Sequence, residues 1–160
     1  MKNTSLCYIE KDNSYLMLHR IKKENDLNRD KYIGVGGKFE EGESPEECAK
    51  REILEETGLI TENLFYRGIV TFVSDVWENE YMHLFTCNEF KGEIKECDEG
   101  VLEWIEKEKM YSLPLWEGDH IFLKLLDTDI EFFSLKLVYE KEKLVEAKLN
   151  DKEIKISSGV

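Results

Sequence analysis

The sequence predicts an α/β (α+β) fold in which the strands of a mixed sheet are interrupted by two helices. Three observations carry this. Short runs rich in aromatic and aliphatic residues recur along the chain. Between them, residues 44–58 hold both start and stop signals of a helix, and "LWEGDHIFLKLLD" places Leu115, Phe122, Leu125 and Leu126 at helical spacing.

Taken in order, "SLCYIE" and "SYLMLHR" read as a hairpin across "KDN". "IKKENDLNRDK" is polar and aperiodic, a loop that leads into the short strand "YIGVGG". The clearest helix follows. Ser44 suits the N-cap, Pro45 the first helical position, and Glu47 stands three residues after the cap, as in a capping box. Gly58 suits the C-terminal stop because it tolerates the left-handed conformation found there. "LFYRGIVTFVSDVW" and "EYMHLFTCNEF" are two strands joined by an acidic turn around Glu78 and Asn79, and "GVLEWI" is another. After the second helix, "FFSLKLVYE" and "KLVEAKL" close the chain as a hairpin around "KEK". With no repeat, low-complexity tract or linker, the 160 residues predict one domain, 1–160, large enough to bury a core without disulfide or metal staples.

Charge and composition exclude several classes of function. With 35 acidic against 22 basic residues, the chain offers no basic patch to track a nucleic-acid backbone, so a polymeric DNA or RNA partner is not expected. A small phosphorylated ligand brought in by a metal ion is compatible with this charge. No apolar run is long enough to span a bilayer and "MKNTSLCYIEKDNSYL" lacks a signal-peptide core, so a cytoplasmic protein without membrane contact is expected. Cys7, Cys48, Cys87 and Cys97 form no CxxC pair, which favours reduced, buried thiols. His19, His83 and His120 have no metal-ligand spacing and read as structural. The aromatics of "LFYRGIVTFVSDVW" read as sheet core rather than a stacking platform for bases.

On a helix over 45–57, Glu52 lies three residues before Glu55 and four before Glu56, so their carboxylates share a face while Ala49 and Ile53 turn toward the core. Like charges at this spacing repel, raise carboxyl pKa values and weaken the helix unless something neutralises them. A hard divalent cation is the natural partner, and magnesium favours one or two carboxylates together with phosphate oxygens and water. A solvated acidic surface is the ordinary account of such a face, and the wider spacing argues against it. From Gly37, five residues precede Glu43 and seven more precede "REILEETGL". This pattern resembles the Nudix box, the signature of Nudix hydrolases, over its full length and in the strand-loop-helix context it requires.

The resemblance implies the Nudix fold, a mixed β-sheet sandwiched between α-helices, and hydrolysis of a nucleoside diphosphate linked to another moiety. It implies that Glu52, Glu55 and Glu56, with the carbonyl of Gly37, ligate magnesium or manganese, and that Glu99 in "ECDEG" serves as a further ligand or base. Arg51 takes an orienting role toward the carboxylates and Glu43 a supporting one. Gly36 and Gly37 permit close backbone approach to phosphate, and Lys38 is available to a phosphate oxygen.

Beyond the box, "YIGVGGKFEEGE", "ECDEGVLEW" and "LWEGDHIFLKLL" with "FFSLKLVYE" resemble the MutT-like branch, the 8-oxo-dGTP diphosphatases that sanitise the nucleotide pool and so protect DNA. In that reading Asp119 accepts hydrogen bonds from the N1–H and 2-amino group of a guanine-type base, and Trp116 packs on the purine. Arg20, Lys22 and Lys23 stand near the expected pocket mouth, with Arg20 and Lys23 as candidate phosphate contacts. Two departures matter. Ile33 stands where purine-sanitising relatives carry Asn, and Gly118 where they carry a second Asp. Other Nudix substrates, such as ADP-ribose, dinucleoside polyphosphates or ordinary dNTPs, are the nearest alternatives. A non-catalytic Nudix-fold binding module is disfavoured because the box glutamates are all present.

Overall fold

The computed structural model describes residues 1–22 and 28–156. β1 (Lys2–Lys11) and β2 (Ser14–His19) form the expected hairpin. It turns through Asp12 and Asn13 at φ 50° and 59°, the left-handed pair that matches the twist of two adjoining strands. "YIGVGG" is two strands rather than one, β3 (Tyr32–Ile33) pairing with β2, and β4 (Val35–Lys38) pairing with β1. α1 (Pro45–Thr57), the short β5 (Ile60–Thr61), β6 (Phe65–Ser74) and β7 (Glu80–Cys87) follow. Then come the short β8 (Phe90–Lys91), β9 (Val101–Glu106), a 3-10 turn over Lys107–Ser112, and α2 (Glu117–Leu126). β10 (Phe133–Glu140) and β11 (Lys143–Leu149) make the closing hairpin, which β12 (Lys152–Ile154) extends.

The main sheet runs β12-β11-β10-β6-β7-β1-β2-β3, with β4 added to β1 and β9 to β2. It is mixed, because β1 runs parallel to β7 and β10 parallel to β6 while the other pairs are antiparallel. β1 organises the site. One of its edges pairs with β7 from Lys2 to Ile9, and the other passes from β4 at Thr4–Cys7 to β2 at Ile9–Lys11. The sheet therefore divides beside β1, and β4 is led toward α1.

Alternation along β1 assigns the two cores. Leu6 and Tyr8 pack with Phe122, Leu126 and Leu137 on the side of α2. Cys7 and Ile9 pack with Ala49, Ile53 and Phe85 on the side of α1. Full burial of each large apolar side chain in these layers contributes ~1.5–3 kcal/mol before conformational entropy is counted. The mixed sheet thus lies between two helices, as expected. The four cysteines are free and buried. Among the described residues no helix is long and apolar enough to cross a membrane.

Candidate active site

The capping residues fix how α1 presents its side chains. Ser44 Oγ accepts from the Glu47 amide at 3.1 Å and Glu47 Oε1 accepts from the Ser44 amide at 2.9 Å, completing the capping box. Gly58 at φ 82° ends the helix, its amide donating to the Leu54 carbonyl at 2.9 Å. Ser5 Oγ of β1 donates to the Pro45 carbonyl at 2.7 Å, tying the first turn to the sheet. With rotation and position set, Ala49 and Ile53 enter the core and the glutamates fan outward. Glu55 is exposed, Glu52 is largely covered, and Glu56 is buried.

Arg51 holds this fan together. Its Nε and Nη2 bind the two oxygens of Glu43 at 2.7 and 2.9 Å, a two-pronged ion pair. Nη1 reaches Glu52 at 2.8 Å and Glu55 at 3.2 Å, and Nη2 also donates to the Lys38 carbonyl at 3.0 Å. The helix-spaced pair with Glu55 is the longest of these carboxylate bonds, and the pair with Glu43 the tightest. Arg51 holds the Glu43 carboxyl below its ordinary range.

Glu56 has no such partner. Its Oε2 is buried without a hydrogen bond, and its pKa is pushed up to about 9, first by burial and then by the neighbouring Glu99 and Glu52 carboxylates. Burial also raises Glu52, against the opposing pull of Arg51. Glu99, in the segment before β9, is paired with Arg20 at 2.9 Å. A buried orphan oxygen among like charges, all hard oxygen donors, fits a divalent cation. Among the described residues no three His, Cys, Asp or Glu side chains are grouped so as to hold a metal ion by themselves. A cation here would complete its shell with phosphate oxygens and water, as magnesium does.

β4 joins the carboxylates to a cavity of about 240 Å³ on the α2 side of the sheet, lined in part by Gly36, Gly37 and Lys38. The glycines are sterically required. A Cβ on Gly36 would collide with the Ser5 carbonyl, and one on Gly37 would lie 2.6 Å from the Glu52 carboxyl. The Gly37 carbonyl accepts from Cys48 Sγ at 3.4 Å. Lys38 is exposed at the rim, and Arg20 lines the cavity on the side where it meets Glu99. Lys22 donates to the Cys97 carbonyl at 2.6 Å, and Lys23 lies outside the described residues.

The cavity walls are apolar, with Phe72, Met82 and Leu137 among them, and Asp119 stands in their midst. Asp119 is 9% exposed, its carboxylate makes no hydrogen bond to the described residues, and burial pushes its pKa up to about 8 despite the nearby Lys31 ammonium. Trp116 caps α2 and is itself buried, its indole N–H donating to Asn28 at 2.8 Å and its ring covered by Lys31 Nζ at 4.7 Å from the centroid. It lines the cavity as a held wall more than as an open stacking face. Ile33 also lines it. Gly118 has a steric reason to be small, since a Cβ there would lie 2.5 Å from Leu137 Cδ1 and 2.7 Å from the Tyr139 hydroxyl, to which its own amide donates.

The histidines sit in local structural contacts: His19 with Asp30 and Tyr32, His83 with Tyr66 and Asn3, His120 against Tyr111. Sequence reasoning passed over Glu80, Thr4, Asn28 and Lys31. Glu80 opens the expected strand "EYMHLFTCNEF" with no role assigned, and only strand pairing with β1 reveals that it faces the cavity.

The family model for the NUDIX domain matches residues 2–126. The chain is 31% identical over 133 residues, 82% of its length and 85% of the relative's, to an oxidized purine nucleoside triphosphate hydrolase of Danio rerio. It is 33% identical over 106 residues, 65% of its length and 67% of the relative's, to the protein of the same name from Mus musculus. The crystal structure of a mutator MutT protein from Bacillus halodurans superposes with a TM-score of 0.84 at 26% identity, covering 95% of this chain and 99% of that one.

Proposed function

The chain belongs to the NUDIX hydrolase family, and from that premise we propose that it is a magnesium-dependent pyrophosphohydrolase of oxidised purine nucleoside triphosphates, 8-oxo-dGTP foremost, acting as one domain on the free nucleotides of the cytoplasm. The observation that carries this reading is the junction at β4. A carboxylate-rich helix face with an unpartnered buried oxygen and a cavity with an unpartnered buried carboxylate meet at Gly36 and Gly37. One end suits a metal-bound triphosphate and the other a base with hydrogen-bond donors. The names of the two vertebrate relatives point to the same substrate class.

Glu52, Glu55, Glu56, Glu99 and the Gly37 carbonyl would hold the cation, with manganese as an alternative to magnesium. When bound, the cation offsets phosphate charge and lowers the pKa of water. The chain's own groups do the rest. Arg51 keeps Glu52 and Glu55 in position through bonds of 2.8 and 3.2 Å while Glu43 anchors its other edge. Lys38 and Arg20 face the phosphates from the cavity rim. Asp119 accepts from the Watson–Crick edge of the base, and Trp116 supports the purine. Water attacks phosphorus, Glu56 or Glu99 takes its proton, and the bridge between the α and β phosphates breaks, leaving the monophosphate and pyrophosphate. No covalent enzyme intermediate is involved.

Steady-state kcat/KM for 8-oxo-dGTP, dGTP, dATP and ADP-ribose with magnesium, with products separated by chromatography, tests the proposal. Preference for 8-oxo-dGTP with release of 8-oxo-dGMP and pyrophosphate is expected. Equal rates on all triphosphates, or AMP and ribose phosphate from ADP-ribose as the main activity, would overturn the substrate assignment.

A further inference from the structure

Resting on the oxidised-purine reading above, we propose that Glu80 is the specificity-determining residue that separates an 8-oxo-purine from the unmodified base, by accepting a hydrogen bond from the N7–H that only the oxidised ring carries. Neither position that departs from purine-sanitising relatives can do this. Ile33 has no polar atom, and Gly118 is hemmed in by Leu137 and Tyr139. Only two carboxylates line the cavity among the described residues, Asp119 from α2 and Glu80 from β7.

Strand register points Glu80 inward. It lies opposite Lys2 on β1 and Phe72 on β6, two residues from Met82, so all four share the cavity face of the sheet. Its conformation is fixed on one side. Thr4 Oγ1 donates to Glu80 Oε2 at 2.6 Å, and Lys2 Nζ stands 3.8 Å from Oε1, which leaves lone pairs of both oxygens unused. Glu80 is also near enough to contribute to the raised pKa of Asp119.

The chemistry of the base matches two carboxylates on separate elements. Guanine offers donors at N1 and the 2-amino group, which suit Asp119, but its N7 is an acceptor whose lone pair would oppose a carboxylate. Oxidation at C8 with the attendant shift of a hydrogen to N7 turns that acceptor into a donor. Glu80 therefore attracts the oxidised base and repels the normal one. Discrimination of this kind is strong, because a wrong match leaves a largely desolvated polar group unpaired.

The experiment compares kcat/KM for 8-oxo-dGTP, dGTP and 7-deaza-dGTP in the wild type, Glu80→Gln and Thr4→Val. A glutamine amide can turn its NH2 toward N7, so Glu80→Gln should lower the ratio of 8-oxo-dGTP to dGTP by about tenfold or more, with dGTP taken faster. Thr4→Val should shift the ratio the same way by less. The wild type should take 7-deaza-dGTP, which lacks the N7 lone pair, severalfold better than dGTP, and this needs no variant to fold. An unchanged ratio in Glu80→Gln, or 7-deaza-dGTP no better than dGTP, overturns the role of Glu80 while the preference of the wild type leaves the proposed function standing. No preference for 8-oxo-dGTP in the wild type overturns both.

Discussion

Glu56 and Asp119 are both buried carboxyls without a hydrogen-bond partner for at least one oxygen, with pKa values pushed up to about 9 and about 8, yet they are built for opposite remedies. Around Glu56, burial is compounded by Glu99 and Glu52, so the deficit is one of positive charge. Around Asp119 the walls are mostly apolar, and the Lys31 cation opposes the shift more than the Glu80 carboxylate adds to it, so the deficit is one of hydrogen-bond donors. A divalent cation answers the first and a donor-bearing base the second. Under the proposed function, the same direction of pKa shift accompanies a metal ligand in one place and a base-recognition group in the other, and the neighbours make the difference.

The largest expected effect breaks the Glu56 side of this comparison. Glu56→Gln should lower turnover with magnesium by on the order of 10³, since several kcal/mol of charge stabilisation are lost and each 1.36 kcal/mol is tenfold. Thermal unfolding without metal should be unchanged or improved, because the amide, unlike Glu56 with its pKa pushed up to about 9, needs no proton in order to be buried without charge. Turnover within a few-fold of wild type would remove Glu56 from the metal site. Adding magnesium should raise the Tm of the wild type by mass action and that of the variant less, as read by scanning calorimetry.

Asp119→Asn tests the other side. Selectivity for guanine-type over pyrimidine triphosphates should fall roughly ten- to hundredfold, the worth of a hydrogen bond to a charged group, while hydrolysis of a pyrimidine triphosphate changes little. Stability has a defined sign. The folded pKa of Asp119, about 8, lies above its unfolded value, so the folded state binds the extra proton and the contribution is full at low pH. It is lost as pH rises toward and through about 8. Asp119→Asn should consequently raise Tm more at pH ~8 than at pH ~5, and equal shifts at both would contradict the burial argument.

Arg51→Lys keeps the charge beside Glu52 and Glu55 and removes the planar fork. Loss of the paired bonds to Glu43 and Glu52 should reduce kcat by about tenfold or more, with little change in the preference among bases. The smallest effect is expected at the helix cap. Ser44→Ala should cost about 1 kcal/mol of stability, visible as a drop of a few degrees in Tm, with selectivity unchanged.

The helix that carries the carboxylates was legible because its determinants are local. Ser44, Pro45, Glu47 and Gly58 act on backbone groups within one turn, and the spacing of Ala49 and Ile53 against Glu52, Glu55 and Glu56 follows from 3.6 residues per turn. The hairpins around "KDN" and "KEK" and the acidic turn were legible for the same reason. The division of "YIGVGG" into β3 and β4 was not, because two different strands compete for its backbone hydrogen bonds. Two-residue strands such as β5 and β8 are too short to show a period at all.

The sequence by itself determined the helix, its caps, the set of glutamates and the succession of the longer strands, since each rests on near neighbours or on runs of apolar residues. Tertiary structure decided which glutamate loses water, that Glu99 and Arg20 join the cluster, and that Glu80, the first residue of an expected strand, forms a wall of the same cavity as Asp119. Those outcomes depend on burial and on register between strands distant in the chain, as when Glu80 comes to lie beside Lys2 and Thr4. Solvation of a charge is set by everything packed around it, and no stretch of adjacent residues encodes that.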